Sequence, residues 1–155
     1  MSEKAKQEAS IFIREIIKDE LDSALELVWN VFLEYEAPDY SRQGTEEFFK
    51  SIHDTEYLNM LQVYGAFREN KLVGVIATRS GGTHIALFFV DGRYHKQGIG
   101  RKLFDTVVNN TSAGKITVNS SPFAVPVYHK LGFKDTDQEQ ITNGLRYTPM
   151  ELVLC

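Results

Sequence analysis

The stretch from Phe88 to Leu103, FFVDGRYHKQGIGRKL, constrains the fold more than any other part of the chain. An apolar run, Phe88-Phe89-Val90, leads through a polar, glycine-containing loop into Leu103, Phe104, Val107 and Val108, which share one face of a helix. A helix start leaves several backbone N–H groups unpaired and carries a partial positive charge. Glycines let an anion approach that backbone closely, so Gly98 and Gly100 predict a phosphate cradle. Arg101 and Lys102 fall in the first helical turn, where cations are unfavourable unless an anion sits nearby. The Walker A pattern needs Gly-Lys-Ser/Thr where this loop reads Gly-Arg-Lys, and a dinucleotide fingerprint needs a small residue where Leu103 stands. Neither fits.

The flanking segments give the cradle its setting. Ile11 to Ile17 reads as a first strand. Asp19 is placed to cap a helix whose apolar positions are Leu21, Leu25, Val28, Phe32 and Tyr35, closed by Pro38. Gly44-Thr45 introduces a shorter helix with Phe48, Phe49 and Ile52 on its apolar side. Leu61 to Phe67, Leu72 to Thr78 and His84 to Val90 are rich in Val, Ile, Phe and Tyr and are separated by Asn70-Lys71 and Ser80-Gly81-Gly82, which predicts a three-stranded antiparallel meander. Beyond the cradle and its helix, Lys115 to Asn119 is a strand, Ser121-Pro122 opens a short helix ending at Gly132, and Arg146 to Leu154 is the last strand. The order implies an α/β (α+β) domain with a mixed sheet of six or seven strands and about four helices.

The chain has 155 residues, 43% apolar and 25% charged, the size and balance of one globular domain spanning 1–155, with 1–10 as a polar N-terminal extension. Its single cysteine, Cys155, permits no intrachain disulfide. No apolar run is long enough for a membrane span and the polar start lacks a signal-peptide core, so a cytoplasmic protein without membrane association is expected. The net charge of −4 argues against a nucleic-acid partner. Against that acidic background, Arg93, Lys96, Arg101 and Lys102 cluster around the glycines and point to a local anionic ligand. No His/Cys/Asp cluster has metal-ligand spacing, so no metal is expected.

The cradle resembles the cofactor motif of GNAT acetyltransferases, Gln/Arg-x-x-Gly-x-Gly/Ala, with Gly98 and Gly100 at the two small positions. His95 departs from it, standing where that family usually has Gln or Arg. This implies altered affinity rather than lost binding, because His donates through its ring or backbone. A second segment, Val118-Asn119-Ser120-Ser121 through Tyr128-His129-Lys130-Leu131-Gly132-Phe133, resembles the other GNAT signature, a strand ending in Asn followed by a helix reading Tyr-x-x-Leu-Gly-Phe. The tail Gly144 to Met150 resembles that of small bacterial single-domain members.

The resemblance implies a fold with splayed strands at the cofactor site and an activity: transfer of acetyl from acetyl-CoA to a primary amine of a small-molecule or peptide acceptor, by direct attack in a ternary complex. It implies that coenzyme A lies between strands 84–90 and 115–119. Backbone groups of Phe88, Phe89 and Val90 would pair with the pantetheine arm, and His95, Lys96, Gln97, Gly98, Ile99, Gly100 and Arg101 would wrap the pyrophosphate. Asn119 would touch the cofactor at the splayed strand end, and Tyr128, a phenol protonated at neutral pH, would act as the acid for the departing thiolate. Acceptor contacts are expected from Glu34, Tyr35 and Glu36 and from Arg146 and Tyr147. The base is left open among Glu34, Glu36, Glu47, His84 and a water chain. A homodimer covering an exposed strand edge is compatible with such a sheet. A non-catalytic acyl-CoA sensor on the same fold is the alternative.

Overall fold

The computed structural model describes residues 11–154; the N-terminal extension Met1–Ser10 and Cys155 lie outside the described residues. Its strands are β1 (Ile11–Glu15), β2 (Gln62–Arg68), β3 (Lys71–Arg79), β4 (His84–Val90), β5 (Lys115–Ser120), β6 (Lys134–Asp135), β7 (Gln140–Thr142) and β8 (Leu145–Val153). They run β1-β2-β3-β4-β5-β8-β6 across the sheet, and β7 also pairs with β8. Every pairing is antiparallel except β4 with β5. The helices are α1 (Leu21–Val31), α2 (Arg42–Ser51), α3 (Thr55–Asn59), α4 (Ile99–Asn110) and α5 (Val125–Lys130).

The meander forms where the alternation of β-branched and aromatic residues places it, and each face of the sheet buries its own apolar cluster. Leu103, Phe104 and Val107 of α4 and Tyr128 of α5 pack with Ile76, Ile116 and Phe133 on one face. Val28, Phe32 and Ile52 pack with Val75, Leu87 and Phe89 on the other. The alternation of Val75, Ile76 and Ala77 between these two clusters is the period-two signature of a central strand buried on both faces.

Several local expectations shift. Asp19 caps nothing; it sits in a 3-10 turn (Lys18–Glu20), and Glu20 instead binds Arg14 at 2.6 Å and the Ile17 N–H at 3.2 Å. Ser41 starts α2, its Oγ accepting from Gly44 N–H at 3.2 Å, and Phe49 faces solvent. The short helix begins at Val125 rather than Ser121. β6, β7 and α3 span too few residues to show a period, which is why the sequence suggests fewer strands and helices than the fold holds.

One irregularity shapes the centre of the molecule. Ala77 opposes Leu87 and Thr78 opposes Ile85, so Ala86 is an unopposed extra residue in β4. A bulge bends its strand and increases the local twist. Pairing of β4 with β5 stops accordingly after His84–Thr117 and Ile85–Val118, and the rest of β4 diverges from β5 as an open wedge. Among the described residues no helix is long and apolar enough to cross a membrane.

Candidate active site

The edge of β4 that borders the wedge carries unpaired main-chain groups. The Asp91 N–H donates to Val73 O at 2.9 Å, which sets the parity of the β3–β4 ladder. Phe89 and Leu87 therefore exchange bonds with β3, while the N–H and C=O groups of Phe88 and Val90 turn toward the wedge. Across it, Thr117 N–H donates to Thr83 O at 2.8 Å, so the main-chain groups of Asn119, two residues on, face the same opening. The Asn119 side chain borders the cavity on the α2 side of the wedge, not the groove beside the cradle.

At the wide end of the wedge lies the cradle. Gly98 caps α4 in the left-handed region, φ 81°, and a Cβ there would meet nothing within 4 Å. The first backbone bond of the helix runs from Lys102 N–H to Gly98 O at 3.1 Å, and among the described residues the N–H groups of Gly98, Ile99, Gly100 and Arg101 have no backbone partner. Beneath them is a groove of about 410 Å³ lined by Phe88, Phe89, Val90, His95, Lys96, Gly98, Ile99, Gly100 and Arg101. A ligand with an anionic head and a slender polar arm suits this donor set. Tyr94, Phe123, Ala124, Val127 and Lys130 also line the groove and carry no motif position that singles them out.

The polar side chains of the loop are partly committed. The His95 ring donates from Nε2 to Val90 O at 2.7 Å and lies 4.9 Å from the Tyr35 ring, so it braces the loop against the end of β4. Arg93 pairs with Asp91 at 2.8 Å and Arg101 with Asp105 at 3.2 Å. Gln97 borders no cavity of the wedge; it accepts from Arg68 at 3.3 Å. Lys96, held at φ 62°, is exposed on the groove wall.

A second cavity, of about 490 Å³, opens on the α2 and β8 side of the wedge. It shares Glu36, Phe88, Phe89, Ala124 and Tyr128 with the groove, so the two meet at those residues. Tyr128 is 5% exposed and packed between Phe88 and Phe133. Its hydroxyl makes no hydrogen bond among the described residues; since no sealed side-chain polar atom there lacks a partner, it opens on the cavity. Burial, and secondarily the nearby Glu36 carboxylate, push the phenol up, so it stays protonated across the working pH range.

Glu36 ends a wider, π-helical turn, Phe32–Glu36, that extends α1. That turn carries the buried stripe of α1 on to Tyr35 and Glu36 at the wedge. Enclosure by the cavity walls, with a smaller push from Asp39 and against the pull of Ser121, raises the Glu36 carboxyl to about 7. Half its molecules are then ionised near neutrality, the condition a proton acceptor needs.

The five acceptor candidates divide. Glu36, Arg146 and Tyr147 line the second cavity. Tyr35 lies on the groove side, between His95 and Phe123. Glu34 is not part of either space; it borders a separate hollow with Asp91 and Arg93, because residues two apart on a helix point to opposite sides. Arg146 is fully engaged, by Glu139 at 3.2 Å and by Asp39 O at 3.0 Å. His84 is also remote, bonded to Thr117 Oγ1 at 2.8 Å, and its burial pushes the ring down to about 4. Among the described residues no group of acidic, His or Cys side chains is arranged to hold a metal.

A bulged, splayed sheet with a glycine cradle at the wide end defines an acyltransferase architecture. The model of the acetyltransferase (GNAT) domain family matches residues 36–154, and the chain belongs to that family. Acetyltransferases of this family take their acetyl group from acetyl-CoA. No curated protein sequence matches the chain. Among solved structures it resembles a GCN5-related N-acetyltransferase from Rhodopseudomonas palustris, with 20% identity over 94% of this chain and 96% of that one, TM-score 0.77. It resembles equally the PaiA N-acetyltransferase from Thermoplasma acidophilum, solved in complex with coenzyme A, with 19% identity over 93% and 99%, TM-score 0.76. A third, FeeM, an N-acyl amino acid synthase from uncultured soil microbes, has 16% identity over 93% and 91%, TM-score 0.70. Identities this low speak for the fold alone.

Proposed function

We propose that the protein, acting as a single domain, transfers acetyl from acetyl-CoA to a primary amine by direct attack in a ternary complex. The observation that carries this reading is the meeting of groove and cavity at Glu36, Phe88, Phe89, Ala124 and Tyr128. The N–H groups at the start of α4 and Lys96 hold the pyrophosphate, and the Phe88 and Val90 main chain pairs with the pantetheine arm. Bound there, acetyl-CoA supplies an activated acyl group, a thioester.

Each residue at the junction has a task. Ionised Glu36 accepts the proton that the amine nitrogen gives up as its bond to the acyl carbon forms. Tyr128 donates its hydroxyl proton to the sulfur as the carbon–sulfur bond breaks. Glu36 gains one proton and Tyr128 loses one, so the products are a neutral amide and coenzyme A thiol, and the pair keeps its total. Phe88, Phe89 and Ala124 form an apolar surround that keeps bulk water from the thioester.

The test is thiol release from acetyl-CoA across amines of several classes, with mass spectrometry of the products. Release that depends on the amine, with an acetyl group on its nitrogen, is expected. Tight acetyl-CoA binding with no release by any amine would sink the enzymatic reading and leave a sensor in its place.

A further inference from the structure

The second cavity holds a cation that the chemistry above does not use. Arg79 is the last residue of β3, half-buried, and lines that cavity. It follows Val75 and Ala77 on the face of the sheet covered by α1 and α2, so its side chain rises on the α2 side. Among the described residues its guanidinium makes no ion pair and no hydrogen bond. Glu47, on the same cavity wall, does not engage it, and the other arginine there, Arg146, is occupied by Glu139 and Asp39. Arg79 acts electrostatically on Tyr57 and His84, and the Tyr57 hydroxyl, which borders the same cavity, is likewise without a hydrogen bond. Since no sealed side-chain polar atom among the described residues lacks a partner, the half-buried guanidinium and the phenol both open on the cavity, and that end of it carries a local excess of donors. An anionic group on a ligand corrects it, since guanidinium and carboxylate match in charge and geometry.

The position of this pair relative to the junction gives the ligand its shape. Arg79 stands opposite His84 at one end of β4, and Phe88 stands at the junction, four residues further along. At ~3.3 Å per residue that is ~13 Å of strand, part of it covered by the arginine stem. Between the two ends the walls are aromatic, with Phe32, Phe48, Phe89 and Tyr147. The cavity thus has a proton acceptor at one end, an unmatched cation at the other and apolar walls between.

We infer that the acceptor is an amine whose far end carries a carboxylate, with an apolar body between, and that Arg79 and Tyr57 bind the carboxylate while the nitrogen lies at Glu36. This rests on the proposed acetyl transfer: the amine nitrogen gains the acetyl group, coenzyme A leaves as its thiol, and the carboxylate is unchanged.

The test uses matched trios of ω-amino acid, its carboxamide and the amine lacking the carboxyl, with aromatic and aliphatic spacers between nitrogen and carboxylate. Amino acids whose apolar spacer lets the carboxylate reach Arg79 are expected to exceed their carboxamides in kcat/KM by at least about tenfold, the scale of losing one partner of a desolvated charge pair. Arg79→Gln should raise KM for the acid at least about tenfold while leaving carboxamide kinetics and acetyl-CoA affinity unchanged. Arg79→Lys, which keeps the charge and loses the fork, should fall between and serves if the first variant does not fold. Carboxamides and simple amines that react as well as the acids, or an acid preference that survives in Arg79→Gln, overturn the inference and leave acetyl transfer standing. If no amine releases thiol, the proposed chemistry fails separately. Calorimetry of the same acids against protein loaded with coenzyme A then decides: binding of acid but not carboxamide, lost in Arg79→Gln, supports the inference, and no binding of any acid refutes it.

Discussion

Glu36→Gln separates the chemical role of this carboxyl from its structural cost. Burial moves the group from 4.5 to about 7 in the folded protein. Between those values the native state holds one proton more than the unfolded chain, so stability falls as pH rises through that window. Each tenfold change in proton affinity is worth ~1.4 kcal/mol, so the total is about 3 kcal/mol, fully lost above the folded pKa. Glutamine cannot ionise and is spared this loss. The Tm of Glu36→Gln relative to the parent should therefore rise between pH 4.5 and pH 8, by roughly 6–12 °C for a domain of this size. Activity should move the other way, with kcat down by ~10²-fold or more and the acidic limb near pH 7 abolished. Thermal melts across pH and kcat–pH profiles measure both. A Tm difference that is flat with pH refutes the buried-carboxyl argument; a parental rate with the limb intact refutes the base.

Tyr128→Phe keeps the ring between Phe88 and Phe133 and removes only the proton, so kcat should drop at least about tenfold with acetyl-CoA affinity unchanged by calorimetry. An unaltered rate would make Tyr128 a packing residue. Gly98→Asp places a side chain at φ 81° and a negative charge in the cradle, so acetyl-CoA binding should disappear while the circular dichroism spectrum stays parental; coenzyme A binding at parental strength would move the cradle elsewhere. Lys96→Ala should weaken coenzyme A more than pantetheine, which carries no phosphate, and flatten the salt dependence of binding, read by titration at several ionic strengths. Gly144→Ala adds a Cβ into the backbone of Gln43 and Gly44 at a residue with φ 83°, so Tm should fall by several degrees and acceptor KM should rise before coenzyme A affinity changes.

The glycine cradle was legible because its geometry is local. Gly98 and Gly100 lie next to a strand and before a helix, and the anion-binding geometry follows from the backbone of one short segment. The meander was legible for a similar reason, since Val, Ile and Phe in period two leave little choice of structure. The second cavity was not. Nothing near Arg79 or Tyr57 in the sequence marks them as neighbours, and only β3 ending beside α3 brings them together. Glu34 and Glu36 look equivalent on paper, and the helix sends them to opposite sides. The role of His95 was hidden as well: its ring bonds the carbonyl of Val90, a contact that depends on how the loop folds back. The splay itself comes from one extra residue at Ala86, which no composition or spacing rule announces.

The Tyr40 hydroxyl that bonds Arg146 O, and the Arg146 guanidinium that bonds Asp39 O, join positions 106 and 107 residues apart. The groove beside the cradle, by contrast, is built mostly from residues 88 to 130. Closing the long loop carries the larger entropic cost and gives contacts of high sequence separation. The groove thus depends mainly on one stretch of the chain, whereas the cavity depends on β8 lying beside β5 and meeting the α1–α2 connection. Substitutions that loosen these long-range contacts should therefore disturb the cavity first and the groove second.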